Sequence, residues 1–84
     1  MALITVIYRG SLAENTGTRT EQLEAEKVQD VLRHVKKAYG ATVYKQAKAM
    51  LIAVNGVSIL QMKVFATTLA DGDAVSFFPL AAGG

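Results

Sequence analysis

The segment from Val28 to Tyr39 constrains this chain most, because its apolar residues recur at helical spacing. Val28, Val31, Leu32, Val35 and Tyr39 share one side, while Gln29, Asp30, Arg33, Lys36 and Lys37 occupy the other. Gly40 follows at the position where helices commonly end. The pattern predicts an amphipathic helix of about three turns with one apolar stripe to bury. Its start is less sharply marked, since neither Glu26 nor Lys27 is a good capping residue.

The segments around the helix have an extended pattern, so the stripe is expected to lie on a sheet. Ala2 to Arg9 is β-branched and aromatic, with apolar residues at both alternating positions, which predicts a strand inside a sheet. Gly10 to Thr18, with Asn15 and Gly17, reads as a turn or loop. Thr20 to Glu26 alternates, Leu23 and Ala25 opposing Gln22, Glu24 and Glu26, and predicts a half-exposed strand paired with the first as a hairpin. Ala41 to Ala49 mixes β-favouring Thr42, Val43 and Tyr44 with helix-tolerant residues and reads as a variable connection.

Met50 to Val54 is a short apolar run meeting Asn55-Gly56, a strong hairpin signal, after which Val57 to Val64 resumes an extended pattern. Phe65 to Ala70 reads as irregular, with Leu69 pointing inward. Asp71-Gly72-Asp73 is a tight turn before a strand from Ala74 to Phe78, which Pro79 ends by removing a ladder donor. The expected fold is α+β, a sheet with the helix across one face. Its first and last strands lie side by side in parallel.

Composition removes several classes of function. With 84 residues the chain is expected to form one domain, and its lack of cysteine excludes disulfides, thiolate nucleophiles and Cys-ligated metals. His34 stands alone on the polar or intermediate side of the helix without a second ligand at metal spacing, so it reads as a surface residue. Asp71 and Asp73 read as turn residues, and Ser11, Ser58 and Ser76 lack a nucleophile context. No metal site, catalytic residue or tightly bound cofactor is expected. The apolar C-terminal stretch is broken by Asp71 and Asp73, and Met1 to Tyr8 lacks the features of a signal peptide, so a cytoplasmic protein without membrane association is expected.

The net charge of +2 is unevenly distributed. Lys27, Arg33, Lys36, Lys37, Lys45 and Lys48 lie in one stretch that includes Tyr39 and Tyr44 and only Asp30 as an acid. That stretch raises nucleic-acid binding, but a solvated helix face with Lys36 and Lys37 near the helix C-terminus is the expected reading.

The last residues point elsewhere. An apolar run, Phe77-Phe78-Pro79-Leu80-Ala81-Ala82, leads into Gly83-Gly84, and two glycines without Cβ atoms can thread a narrow channel. On strand alternation, Val75 and Phe77 face a core beneath the helix, while Phe78 with Leu80 is a candidate docking patch.

Together, Val54-Asn55-Gly56, Leu69 before Asp71-Gly72-Asp73, Val75, Phe77-Phe78-Pro79 and Gly83-Gly84 resemble the MoaD/ThiS family of ubiquitin-like sulfur carriers. The resemblance spans nearly the whole chain, and its Phe-Phe-Pro element and length are nearest to MoaD, the small subunit of molybdopterin synthase. It implies a β-grasp fold with a mixed sheet of four to five strands, one main helix and a flexible tail at 79–84.

The resemblance also implies a noncatalytic carrier. An E1-like enzyme of the MoeB/ThiF type would adenylate the Gly84 carboxyl with ATP. A sulfur donor protein would convert the transient acyl-adenylate to a thiocarboxylate, for use by a synthase large subunit of the MoaE type. Gly84 would carry sulfur, Gly83 would clear its path, and Phe78, Pro79, Leu80, Ala81 and Ala82 would meet the partner. Extended, the tail from Pro79 would reach about 20 Å. A ubiquitin-like modifier, a carrier of the thiazole or cysteine pathway and a non-covalent β-grasp binding module are the alternatives.

Overall fold

The computed structural model describes residues 1–79. Five strands, β1 (Ala2–Tyr8), β2 (Thr20–Ala25), β3 (Leu51–Val54), β4 (Val57–Ser58) and β5 (Ala74–Phe78), form one mixed sheet in the order β2-β1-β5-β3-β4. As expected, β1 pairs antiparallel with β2 and parallel with β5. The last strand occupies the centre, hydrogen-bonded to β1 on one side and antiparallel to β3 on the other. This is the β-grasp architecture.

Alternation explains the core. Ile4, Val6 and Tyr8 of β1, Ile52 and Val54 of β3, and Val75 and Phe77 of β5 are buried on one face. There they meet Val28, Val31, Leu32 and Val35 of α2 (Val28–Tyr39), each almost entirely removed from water. At about 1.5–3 kcal/mol per fully buried aliphatic side chain, this seam is the main source of stability.

The start of α2, weak in the sequence, is capped from within the helix. Asp30 Oδ2 accepts hydrogen bonds from the amides of Lys27 at 3.0 Å and Glu26 at 3.1 Å. Val28 N donates to the Thr67 carbonyl at 3.0 Å, so a distant segment satisfies another free amide of the first turn. Gly40 ends the helix with φ of +97°, a conformation L side chains rarely adopt.

Three segments differ from the sequence reading. The expected loop 10–18 contains a short helix, α1 (Ser11–Thr16), because Leu12 is fully buried and holds one turn against the core. The connection 41–49 is a helix, α3 (Ala41–Lys48), whose buried Ala47 and core-packed Val43 and Tyr44 override the β preference of Thr42, Val43 and Tyr44. The extended pattern of 57–64 survives only as Val57–Ser58. Ser58 Oγ then accepts from Leu60 N at 3.2 Å, starting a 3₁₀ turn at Ile59–Gln61, and a second follows at Val64–Ala66. Among the described residues the sheet therefore carries three α-helices, with α2 the longest.

Both turns flanking β5 are fixed by side chains. Asn55 and Gly56, with φ of +51° and +84°, turn β3 into β4 as the dipeptide predicts. Asp71 Oδ1 accepts from Leu3 N at 2.8 Å, and Asp73 Oδ2 accepts from Ala70 N at 2.8 Å. Asn55 Nδ2 donates to Asp73 Oδ1 at 2.9 Å while its Oδ1 accepts from Ala74 N at 2.9 Å, which locks the hairpin to the start of β5.

Candidate docking face and tail exit

The face of β5 opposite the helices is built from its even-numbered residues. Cross-strand pairing sets Ile7, Ser76 and Ala53 in one row and Phe78 with Leu51 in the next. Ser76 and Ala53 are small and buried, whereas Ile7, Leu51 and Phe78 are half-buried. The result is a shallow apolar strip with an aromatic ring at its end. At the β4 side, Val57, Leu60 and Met62 are exposed.

Phe78 stands where the expectation put it, outside the helix-covered core, while Val75 and Phe77 are fully buried. Its partner was not foreseen: the Arg9 guanidinium lies 4.8 Å from the Phe78 ring centroid. Such a cation–π contact contributes about 0.5–1 kcal/mol at an exposed site and steadies the ring without covering it with apolar groups.

Pro79, exposed, follows at the end of β5. Gly10 packs against it, so closely that a Cβ at Gly10 would come within 3.2 Å of Pro79 Cγ. Gly10 also has φ of +60° and ψ of −138°, so conformation and space both demand glycine here. The signal was present as a glycine ending the first strand, but only the parallel pairing of β1 with β5 reveals what it approaches. Beside this exit an open cleft of about 820 Å³ is lined by Arg9, Gly10, Ser11, Glu14 and Arg19, giving it a cationic edge. The site residues Leu80, Ala81, Ala82, Gly83 and Gly84 lie outside the described residues.

On the helix-covered side, Glu21 forms a polar hub that the sequence did not reveal. Its Oε1 accepts hydrogen bonds from the Tyr8 hydroxyl and, at 3.0 Å, from the Tyr39 hydroxyl, and His34 Nε2 lies 3.0 Å away. Burial acts to raise the Glu21 pKa, but the bonds from Tyr8, Tyr39 and His34 outweigh it and hold the carboxyl below its usual range. Burial, reinforced by Glu21, pushes the Tyr8 hydroxyl far above its ordinary value and raises that of Tyr39. Tyr8 and Phe77 stack with centroids 5.9 Å apart, so the hub adjoins the core. His34 thus belongs to a structural network, and among the described residues no group of three His, Cys, Asp or Glu is placed to hold a metal ion.

The family model for the ThiS family matches residues 6–84. The chain belongs to the ThiS family. Small archaeal modifier protein 1 from Methanosarcina acetivorans is 29% identical to this ThiS family member, with a TM-score of 0.87 and coverage of 100% of this chain and 98% of that one. A putative molybdopterin converting factor subunit 1 from Pyrococcus furiosus is 25% identical, with a TM-score of 0.68 over 94% of this chain and 98% of that one. The complex of subunits 1 and 2 of molybdopterin-converting factor from Helicobacter pylori contains a chain 20% identical, which shows the fold alone, with a TM-score of 0.71 over 98% of this chain and 99% of that one. Comparison with curated proteins gives no match. The ThiS family member is therefore a ubiquitin-like protein of the sulfur-carrier family.

Proposed function

We propose that this protein carries sulfur on the carboxyl of Gly84 and delivers it to a synthase subunit in molybdopterin biosynthesis. The observation that carries the reading is the path of β5: the centre of the sheet leads directly into Pro79, and the aromatic Phe78 lies beside that exit on the uncovered face. The globular body can then hold a partner while the slim segment Leu80-Ala81-Ala82-Gly83-Gly84 enters its active site.

The chemistry belongs to the partners. A carboxylate oxygen of Gly84 attacks the α-phosphorus of ATP on an E1-like enzyme, expelling pyrophosphate and forming an acyl-adenylate. Sulfur from a donor persulfide attacks the acyl carbon and displaces AMP; reductive cleavage of the S–S bond by a thiol leaves the thiocarboxylate. Phe78, Pro79, Leu80, Ala81 and Ala82 bind the partner, and none performs catalysis. The molybdopterin assignment draws on the Phe-Phe-Pro element and the likeness to the Pyrococcus furiosus subunit. A large-subunit partner is supported by the two-subunit composition of the Helicobacter pylori complex.

Protein conjugation through the same adenylate is the second reading, favoured by the likeness to the Methanosarcina acetivorans modifier. Intact-mass spectrometry of protein purified from its native host separates the two. Exchange of one terminal oxygen for sulfur on Gly84 supports carriage, and Gly84 joined to lysines of other proteins supports conjugation. Neither form under any growth condition leaves a non-covalent binding module.

A further inference from the structure

Folding changes the meaning of the basic stretch. Lys36 on α2 and Lys48 on α3 converge on Tyr44, their ammonium nitrogens 5.3 and 5.9 Å from its ring centroid. Lys48 also lies 5.8 Å from the Phe65 centroid. Phe65 comes from the 3₁₀ turn at Val64–Ala66, a segment remote in sequence that the sequence alone did not connect to these lysines. Together they line a cleft of about 370 Å³ whose wall includes the largely buried Leu32 and whose rim carries Gln29 and Arg33. This volume falls at the lower end of the range of about 300–1,000 Å³ for small-molecule sites.

Arg33 at the rim is paired with Asp30, but the two lysine charges of the cleft have no ion-pair partner among the described residues. The two ion pairs among the described residues are Arg33 with Asp30 and His34 with Glu21, so neither uses Lys36 or Lys48. Asp30 is itself engaged by Arg33 and the amides of Glu26 and Lys27. Two half-exposed rings, two cations over them and an amide side chain at the rim form a site for a flat ring bearing an anion. A ring can stack on Tyr44 or Phe65, Gln29 can donate to and accept from its edge, and the flexible lysines can swing from the rings to a phosphate. An acidic peptide would use the cations but not the paired aromatic surfaces.

We infer that this cleft binds a nucleotide unit, a base with its phosphate, on the face formed by α2, α3 and the Phe65 turn. Its source is either a free nucleotide or a single-stranded RNA.

The test is an NMR titration of the full ¹⁵N-labelled chain at low salt with AMP and with an oligoadenylate RNA of about eight nucleotides. Inorganic phosphate and oligoglutamate serve as charge controls. Shifts concentrated at Gln29, Lys36, Tyr44, Lys48 and Phe65 are expected. Saturation by AMP assigns the free nucleotide, and saturation by the RNA alone assigns the strand. Tyr44→Leu is expected to weaken binding of the saturating probe about tenfold. The exposed Lys36→Gln and Lys48→Gln substitutions each reduce the salt slope of strand binding by about 1 and keep the test independent of any packing change at Tyr44. No shifts on this face with either adenylate probe, or equal shifts with phosphate or oligoglutamate, overturn the inference.

Discussion

The two faces of β5 differ in exposure within five residues. Val75 and Phe77 point toward α2 and are fully buried, whereas Phe78 points away, half-covered and flanked by Arg9. On the proposed function, one strand would divide stability from recognition by parity alone. A substitution on one face should be read by calorimetry and one on the other by partner binding, and mixed results would show the division to be incomplete.

The strongest challenge to that division is Phe77→Ala. It should cost about 3–5 kcal/mol and lower the midpoint of denaturant unfolding severely, since it empties a site packed against Tyr8 and the helix stripe. Phe78→Ala should cost far less stability, about 1 kcal/mol from the lost Arg9 contact, while weakening partner docking by about 2 kcal/mol in calorimetric titration. Unfolding by this second variant would return Phe78 to the core and remove it from the docking face.

The Glu21 hub sharpens the same contrast through pH. The carboxyl is held below its unfolded value, so its contribution is present above about pH 4.5 and disappears as pH falls through the lower folded value. Tyr8 is raised, so its contribution is constant up to about pH 10, then declines as the unfolded tyrosine ionises and is lost as pH rises through the folded value. Glu21→Gln should cost about 1.5 kcal/mol at neutral pH and flatten the acid limb of the stability profile. An unchanged acid limb would assign acid sensitivity to other carboxylates.

Gly10→Ala is the smallest change, expected to cost about 1 kcal/mol through its positive φ. Because it also presses on Pro79, it should move the Pro79 resonances in NMR spectra. Undisturbed Pro79 resonances would separate Gly10 from the tail exit.

What was legible in the sequence follows from how local each cause is. The α2 stripe, the Asn55-Gly56 turn and the alternation of β5 depend on neighbours a few residues away, and each stands as expected. The helix at Ala41–Lys48 and the turns after Ser58 depend on contacts with distant segments, so propensity misreads them. At the site, Phe78 was legible from parity. Its Arg9 partner and the Gly10–Pro79 contact arise only once β1 and β5 pair in parallel, and the Glu21 hub gathers residues from two strands and a helix.

The central position of β5 also sets how the body responds to traction. On the proposed function, a tail drawn into a partner would pull on a strand gripped along both edges, by β1 and β3, which cannot be peeled away as an outer strand can. Because β1 and β5 run parallel, force applied at the start of one and the end of the other loads their shared hydrogen bonds in shear. Those bonds must fail together rather than in succession, making the sheet a mechanical anchor for the segment that leaves it.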